Sequence, residues 1–155
     1  MNTDEILAIA RTKLGCLYRW GAEGSDRFDC SGYVRWWLRA IGRALRGDQT
    51  AAMLFAMLPR RRGPAPGRLA YWATRSFHVF HVGIVTSVDG AYTWVLGAHG
   101  GGSKTKSDEV AIAQNAKVSE KRFLTSGIFG YTSLPGEVED PALKAEEDER
   151  PEEIV

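Results

Sequence analysis

Residues 77–102 read FHVFHVGIVTSVDGAYTWVLGAHGGG. Two runs rich in Val, Ile, Phe, Tyr and Trp flank Val88-Asp89-Gly90-Ala91, which is the composition of two strands joined by a tight turn. The stretch predicts a β-hairpin that runs into a glycine-rich loop, AHGGGSKTKS. Alternation along the first strand puts His81 and Gly83 on one face and Val82 and Ile84 on the other. Gly83 leaves room above the His81 ring. His99 ends the second strand. Paired strands lie ~5 Å apart, so a matched register sets His81 beside His99. His78, three residues before His81, faces the other way if the strand includes it.

Outward from the hairpin, RLAYWAT (68–74) reads as a preceding strand and IFGYTSL (128–134) as a last one. VAIAQNAKV (110–118) and RFLTS (122–126) read as further short strands or turns. The first part of the chain has helical periodicity instead. Over residues 3–15, Ile6, Leu7, Ala10 and Leu14 share a face, with Asn2 or Thr3 to cap the start and Gly15 to end it. From Ser31 to Ile41, Val34, Trp37, Leu38 and Ile41 do the same, and Gly42 stops the run. A third helix is expected from Gln49 to Leu58, closed by Pro59, before the loop PRRRGPAPG. Arg35, Arg39 and Arg43 form a basic row that reads as a solvated face. Helices first and an antiparallel meander afterwards define an α+β domain over residues 1–135.

The 155 residues are 44% hydrophobic and 25% charged, the balance of an ordinary globular chain. Residues 1–135 carry 18 Lys and Arg against 10 Asp and Glu; residues 136–155 carry 2 against 9. The body is basic and favours an anionic partner, and the tail 136–155 is expected to be an acidic, disordered segment. No motif for nucleic acid is present. No run approaches the ~18 apolar residues of a membrane span. MNTDEILAIARTKLG starts acidic and lacks the basic start of a signal peptide, so action outside the cytoplasm would need release or delivery by other means.

The chemistry concentrates in RFDCSGYVRWW, residues 27–37. Cys30 stands where a loop becomes a helix. A helix N-terminus has unpaired N–H groups and a positive end, which favour thiolate and hold an oxyanion. The other cysteine is Cys16, and two cysteines do not make a disulfide framework. A nucleophilic thiol needs a base and the base needs an orienting group. His81 is the candidate base and His99 the candidate third member. Cys and His spacings match no zinc pattern, so neither metal nor cofactor is expected. Asp29 and Ser31 flank the thiol: Asp29 is placed to cap the helix, or to meet a substrate ammonium. Tyr18, in YRWG, is placed to reach the thiol or a substrate carbonyl. Trp36 and Trp37 read as packing.

Taken together, YRWG, FDCSGYVRWWLRAIG, APGRLAYW, HVGIVTSVDG and GAHGGG resemble the NlpC-type bacterial cell-wall cysteine peptidases, from about residue 3 to 134. The resemblance implies an unpermuted papain-like fold. It implies hydrolysis of peptide bonds in peptidoglycan stem peptides, commonly between D-glutamate and a diamino acid. By that resemblance Cys30 is the nucleophile, His81 the base and His99 the third residue. Tyr18 lies beside the nucleophile, and Asp29 and Ser31 shape the amine-binding subsite. Trp20-Gly21-Ala22 stands where the family often has Trp-Gly-Gly, and Pro66-Gly67-Arg68 where it often has Pro-Gly-Asp. Single-domain lysins and tail hydrolases of phages look similar. The same triad serves amidases, deamidases and acyltransferases, and a non-catalytic wall-binding module is the remaining alternative.

Overall fold

A computed structural model describes residues 1–136. The expected disordered acidic tail lies, beyond Gly136, outside the described residues. The predicted hairpin is present as β3 (Val79–Asp89) and β4 (Tyr92–His99). Asp89 pairs with Tyr92 across a two-residue loop. Gly90 holds φ +57° there, the positive φ that a type II′ loop needs at its first position. Four further strands complete a six-stranded antiparallel sheet: β1 (Arg60–Arg61), β2 (Leu69–Ala73), β5 (Lys117–Leu124) and β6 (Gly130–Thr132). Their order is β1-β6-β2-β3-β4-β5.

Helices α1 (Thr3–Arg11), α2 (Cys30–Ala40) and α3 (Ala51–Met57) precede the main strands, as their periodicity predicts. Leu69, Tyr71, Val82, Ile84, Leu96 and Ala98 face a core shared with Leu7, Val34, Trp37, Leu38 and Leu54. Burying one such side chain stabilises by roughly 1.5–3 kcal/mol. Two polar groups inside this core find main-chain acceptors. Tyr33 Oη donates to the Ala10 carbonyl at 2.6 Å, and Trp37 Nε1 donates to the Ile6 carbonyl at 2.7 Å. Both tie α2 to α1. Trp37 is thus core, and Trp36 packs beside Tyr33 and Phe28. The other sheet face carries a smaller cluster of Ala70, Val85, Val95, Ile128 and Tyr131, against which Trp72 and Phe123 pack.

Three expectations are corrected. α1 ends at Arg11 with Thr12 as its cap, so Leu14 falls outside the helix and is exposed. VAIAQNAKV is chiefly helix: α4 spans Asp108–Gln114. Ser107 caps its start, and Asn115 ends it in the left-handed conformation, signals that outweigh the short apolar alternation. RFLTS divides between strand and turn as expected: residues 122–124 close β5, and residues 125–126 open a 3-10 turn over Thr125–Gly127. The Arg row is not simply solvated. Arg35 pairs with Glu23 and with Asp48 (2.9 Å), Arg39 donates to the Glu23 carbonyl and Arg43 to the Pro135 carbonyl. Arg35 and Arg39 pin loops to α2, and Arg43 holds the segment after it to Pro135.

The loop before α2 is fixed from both sides. Tyr18 N–H donates to the Ala116 carbonyl and Trp20 N–H to the Thr105 carbonyl (2.7 Å). Arg19 and Arg27 both bind Asp108 at the start of α4, at 2.8 and 2.9 Å. Gly32 lets this loop close on α2, since a Cβ there would stand 2.2 Å from the Ala22 carbonyl oxygen. Gly32→Ala is therefore expected to destabilise the fold by about 1–3 kcal/mol, as overpacking against backbone does. Urea denaturation checks this, and an unchanged midpoint would show that the loop yields freely.

Candidate active site

Asp29 caps α2. Its Oδ1 accepts from Gly32 N–H (2.7 Å) and Ser31 Oγ (3.3 Å), and Oδ2 accepts from Gly21 N–H (3.1 Å). One half-buried carboxylate thereby joins the helix start to the YRWG loop. Burial raises its pKa, and the three donors pull the other way. Ser31 supports Asp29 rather than projecting alone. In DCSG the acid caps, the serine braces the acid, and the glycine admits the loop.

Cys30 begins the helix and is 9% exposed. Its Sγ lies 3.8 Å from the Phe80 carbonyl, a geometry in which the thiol donates. Burial first, then the Asp29 charge, push its pKa up to about 11, although main-chain amides at Val82, Ser31 and Cys30 lower it. The helix-terminus effect expected from sequence is present but outweighed. Burial and the Asp29 charge thus favour the neutral thiol over the thiolate. Cys16 is also a free thiol.

The hairpin register pairs Ile84 with Leu96 and Val85 with Val95, which carried forward sets His81 opposite His99. Their rings meet: His81 Nε2 lies 2.9 Å from His99 Nδ1. His99 Nε2 lies 3.1 Å from the Val95 carbonyl. A carbonyl only accepts, so His99 Nε2 carries a proton. Burial holds both rings well below the usual imidazole pKa, with the neighbouring ring (for His81) and Lys121 adding to it. Neutral His99 thus has a bare Nδ1, and His81 must donate to it through Nε2–H. His81 Nδ1 is left with its lone pair free. The chain Val95–His99–His81 fixes both tautomers without a carboxylate.

Glycines make room for this arrangement. A Cβ on Gly97 would stand 3.2 Å from His99 Cε1, and one on Gly83 would stand 2.5 Å from Val95 Cγ1. The space that Gly83 opens serves His99 and Val95, not His81 as the sequence suggested. Trp72, beside His81 on β2, packs tilted against its ring with centroids 5.1 Å apart, and Phe123 lies 5.4 Å from His99. His78 precedes β3 and is exposed.

Cys30, His81, His99 and Tyr18 line one cavity of about 500 Å³. No hydrogen bond joins Sγ to either imidazole among the described residues; the thiol approaches β3 from the α2 side, at Phe80. Tyr18 is buried, with its ring close over Gly101, where a Cβ would stand 2.3 Å away. Burial and the nearby Cys30 and Asp29 raise its pKa, so its hydroxyl stays protonated as a donor. The structure therefore brings Cys30, Tyr18, His81 and His99 together and places Asp29 and Ser31 behind the thiol. Sequence reasoning missed Trp72, Phe80, Lys121 and Phe123 in the lining. Period-two alternation over 117–124 would have put Lys121 and Phe123 on one face.

A buried helix-start cysteine and a histidine pair on an antiparallel sheet define a papain-like α+β fold. The NlpC/P60 family model matches residues 15–123, and the chain belongs to the NlpC/P60 family. The NlpC/p60 domain of the peptidoglycan hydrolase SagA superposes with a TM-score of 0.61 at 19% identity, covering 86% of this chain and 99% of that one. An NlpC/P60 family protein from Bacillus cereus ATCC 10987 gives 0.64 at 15% identity, covering 85% and 40%. A probable endopeptidase of Corynebacterium glutamicum is 45% identical over 40 residues, 26% of this chain. The probable endopeptidase p60 of Listeria grayi is 32% identical over 79 residues, 51% of this chain. The matched segments span only 19% and 15% of the lengths of these two relatives.

Two outcomes check the protonation pattern. Nitrogen-15 NMR should find both histidines neutral at pH 7, each protonated on Nε2; protonation on Nδ1 in either ring would overturn the chain of donors. In a Cys16→Ser background, alkylation of Cys30 should rise about tenfold per pH unit from pH 7 toward 10, because thiolate is scarce below the raised pKa. A fast rate independent of pH between about 5 and 8 would instead mark a preformed thiolate–imidazolium pair.

Proposed function

We propose that this chain carries a cysteine endopeptidase that hydrolyses peptide bonds in peptidoglycan stem peptides, at the D-glutamyl–diamino acid bond. The observation that carries the reading is the geometry: His81 Nε2 is engaged by His99, which is anchored on Val95, so that His81 Nδ1 is left free in the same cavity as a helix-start thiol. Membership of the NlpC/P60 family, and relatives named as endopeptidases, support the reaction class.

The mechanism follows from the protons. His81 Nδ1 takes the thiol proton as Sγ turns from the Phe80 carbonyl to the substrate carbonyl carbon. The charge that forms on His81 strengthens its Nε2–H bond to His99 Nδ1, while His99 stays anchored on Val95. The substrate oxygen gathers negative charge beside the amide of Cys30, a first-turn N–H with no helical acceptor, and beside Tyr18. His81 returns its proton to the leaving nitrogen, so the amine departs and a thioester remains. Water, deprotonated by His81, attacks the thioester carbon and releases the carboxylic acid and the thiol. Starting from neutral thiol and neutral imidazole, proton transfer accompanies attack rather than preceding it.

Purified peptidoglycan distinguishes the outcomes. Wild type should release muropeptides with a new amine inside the stem, and Cys30→Ala should lower the rate by at least about a thousandfold. Equal release by both would overturn the nucleophile. Ammonia release or acyl transfer in place of a new stem amine would assign the same groups to an amidase, deamidase or acyltransferase.

A further inference from the structure

Lys121 stands apart from the rest of the cavity lining. The walls are largely aromatic, with Trp72, Phe80 and Phe123 among them, and burial favours the neutral form of both imidazoles. Lys121 is the one residue lining this cavity with a formal charge at neutral pH. It is half-buried, and among the described residues no ion pair joins it to a carboxylate. Its neighbours on β5 are occupied elsewhere. Glu120 binds Arg11 at 3.0 Å, and Arg122 lies over the Tyr92 ring at 4.2 Å. The Asp29 carboxylate is already met by three donors. The ammonium is close enough to both histidines to disfavour their protonation. A partly desolvated cation between apolar walls, lacking a counter-ion, is a receptor for an anion.

A glutamyl residue has two carboxyl groups. One forms the scissile amide and the other remains, either free or converted to an amide. We propose that Lys121 binds this second carboxylate, so that the site selects stems whose glutamyl carboxylate is free over stems in which it is amidated. The inference rests on the stem-peptidase reading above. An amide there would leave the ammonium uncompensated, and sites built around such a polar contact discriminate strongly.

The test uses the full chain and two synthetic stem tripeptides, L-Ala-D-Glu-diamino acid with the non-scissile glutamyl carboxyl free or as its carboxamide. Binding is measured by calorimetry in Cys30→Ala, which removes turnover. The free carboxylate should bind at least about tenfold tighter. That ratio should fall to about one with Lys121→Met added, and stay well above one with Lys121→Arg. In the wild type the same preference should appear in kcat/KM, mainly through KM. Thermal midpoints confirm that each variant is folded. Equal affinity for the two peptides, no measurable binding of either, or a preference that survives Lys121→Met overturns the proposal. If Cys30→Ala discriminates but wild type cleaves neither peptide, the peptidase reading fails and the carboxylate site stands. If wild type cleaves both equally, the carboxylate site fails and the peptidase reading stands.

Discussion

The carboxylate of Asp29 is the contact on which the site depends. It ends the loop, starts α2 and holds Gly21, so the position of Cys30 follows from three hydrogen bonds to one carboxylate. The helix it starts is tied to α1 through Tyr33 and Trp37, and the loop it holds is clamped to α4 through Arg19, Arg27 and Asp108. The same negative charge, next to the thiol, opposes thiolate formation. One interaction thus sets both the placement and the resting protonation of the cysteine.

The histidine pair obeys a second constraint, which starts from a main-chain carbonyl. The Val95 oxygen accepts only, and that single fact passes through His99 to leave a lone pair on His81. An acid in the third position would hold the imidazole by charge. His99 holds it by tautomer, and because it is neutral it suits a buried, largely aromatic setting. Gly97 is what lets the ring fold back far enough to reach Val95.

The setting is consistent with chemistry that begins from uncharged groups. Burial raises the thiol pKa and lowers those of both imidazoles, each shift favouring the neutral form. Under the proposed mechanism the same burial would strengthen contacts to the charge that forms on the oxyanion, and under the proposed carboxylate site the contact at Lys121.

The sequence by itself determined the α+β order, the hairpin at Asp89-Gly90, α2 with its Asp29 cap, and Cys30, His81 and His99 as the candidate groups. These rest on local signals: period-two and period-3.6 patterns, turn residues and capping residues, each acting within a few positions. It misread residues 110–118, where the Ser107 and Asn115 caps overrode a short apolar alternation, and it took the Arg35 row for a solvated face. Only the tertiary structure decided which glycine serves which ring, that the thiol lies against the Phe80 carbonyl, and that Lys121 joins the cavity. Those outcomes depend on burial and on groups brought together from distant strands. Desolvation and hydrogen-bond partners are properties of the assembled environment, and no residue's neighbours along the chain encode them.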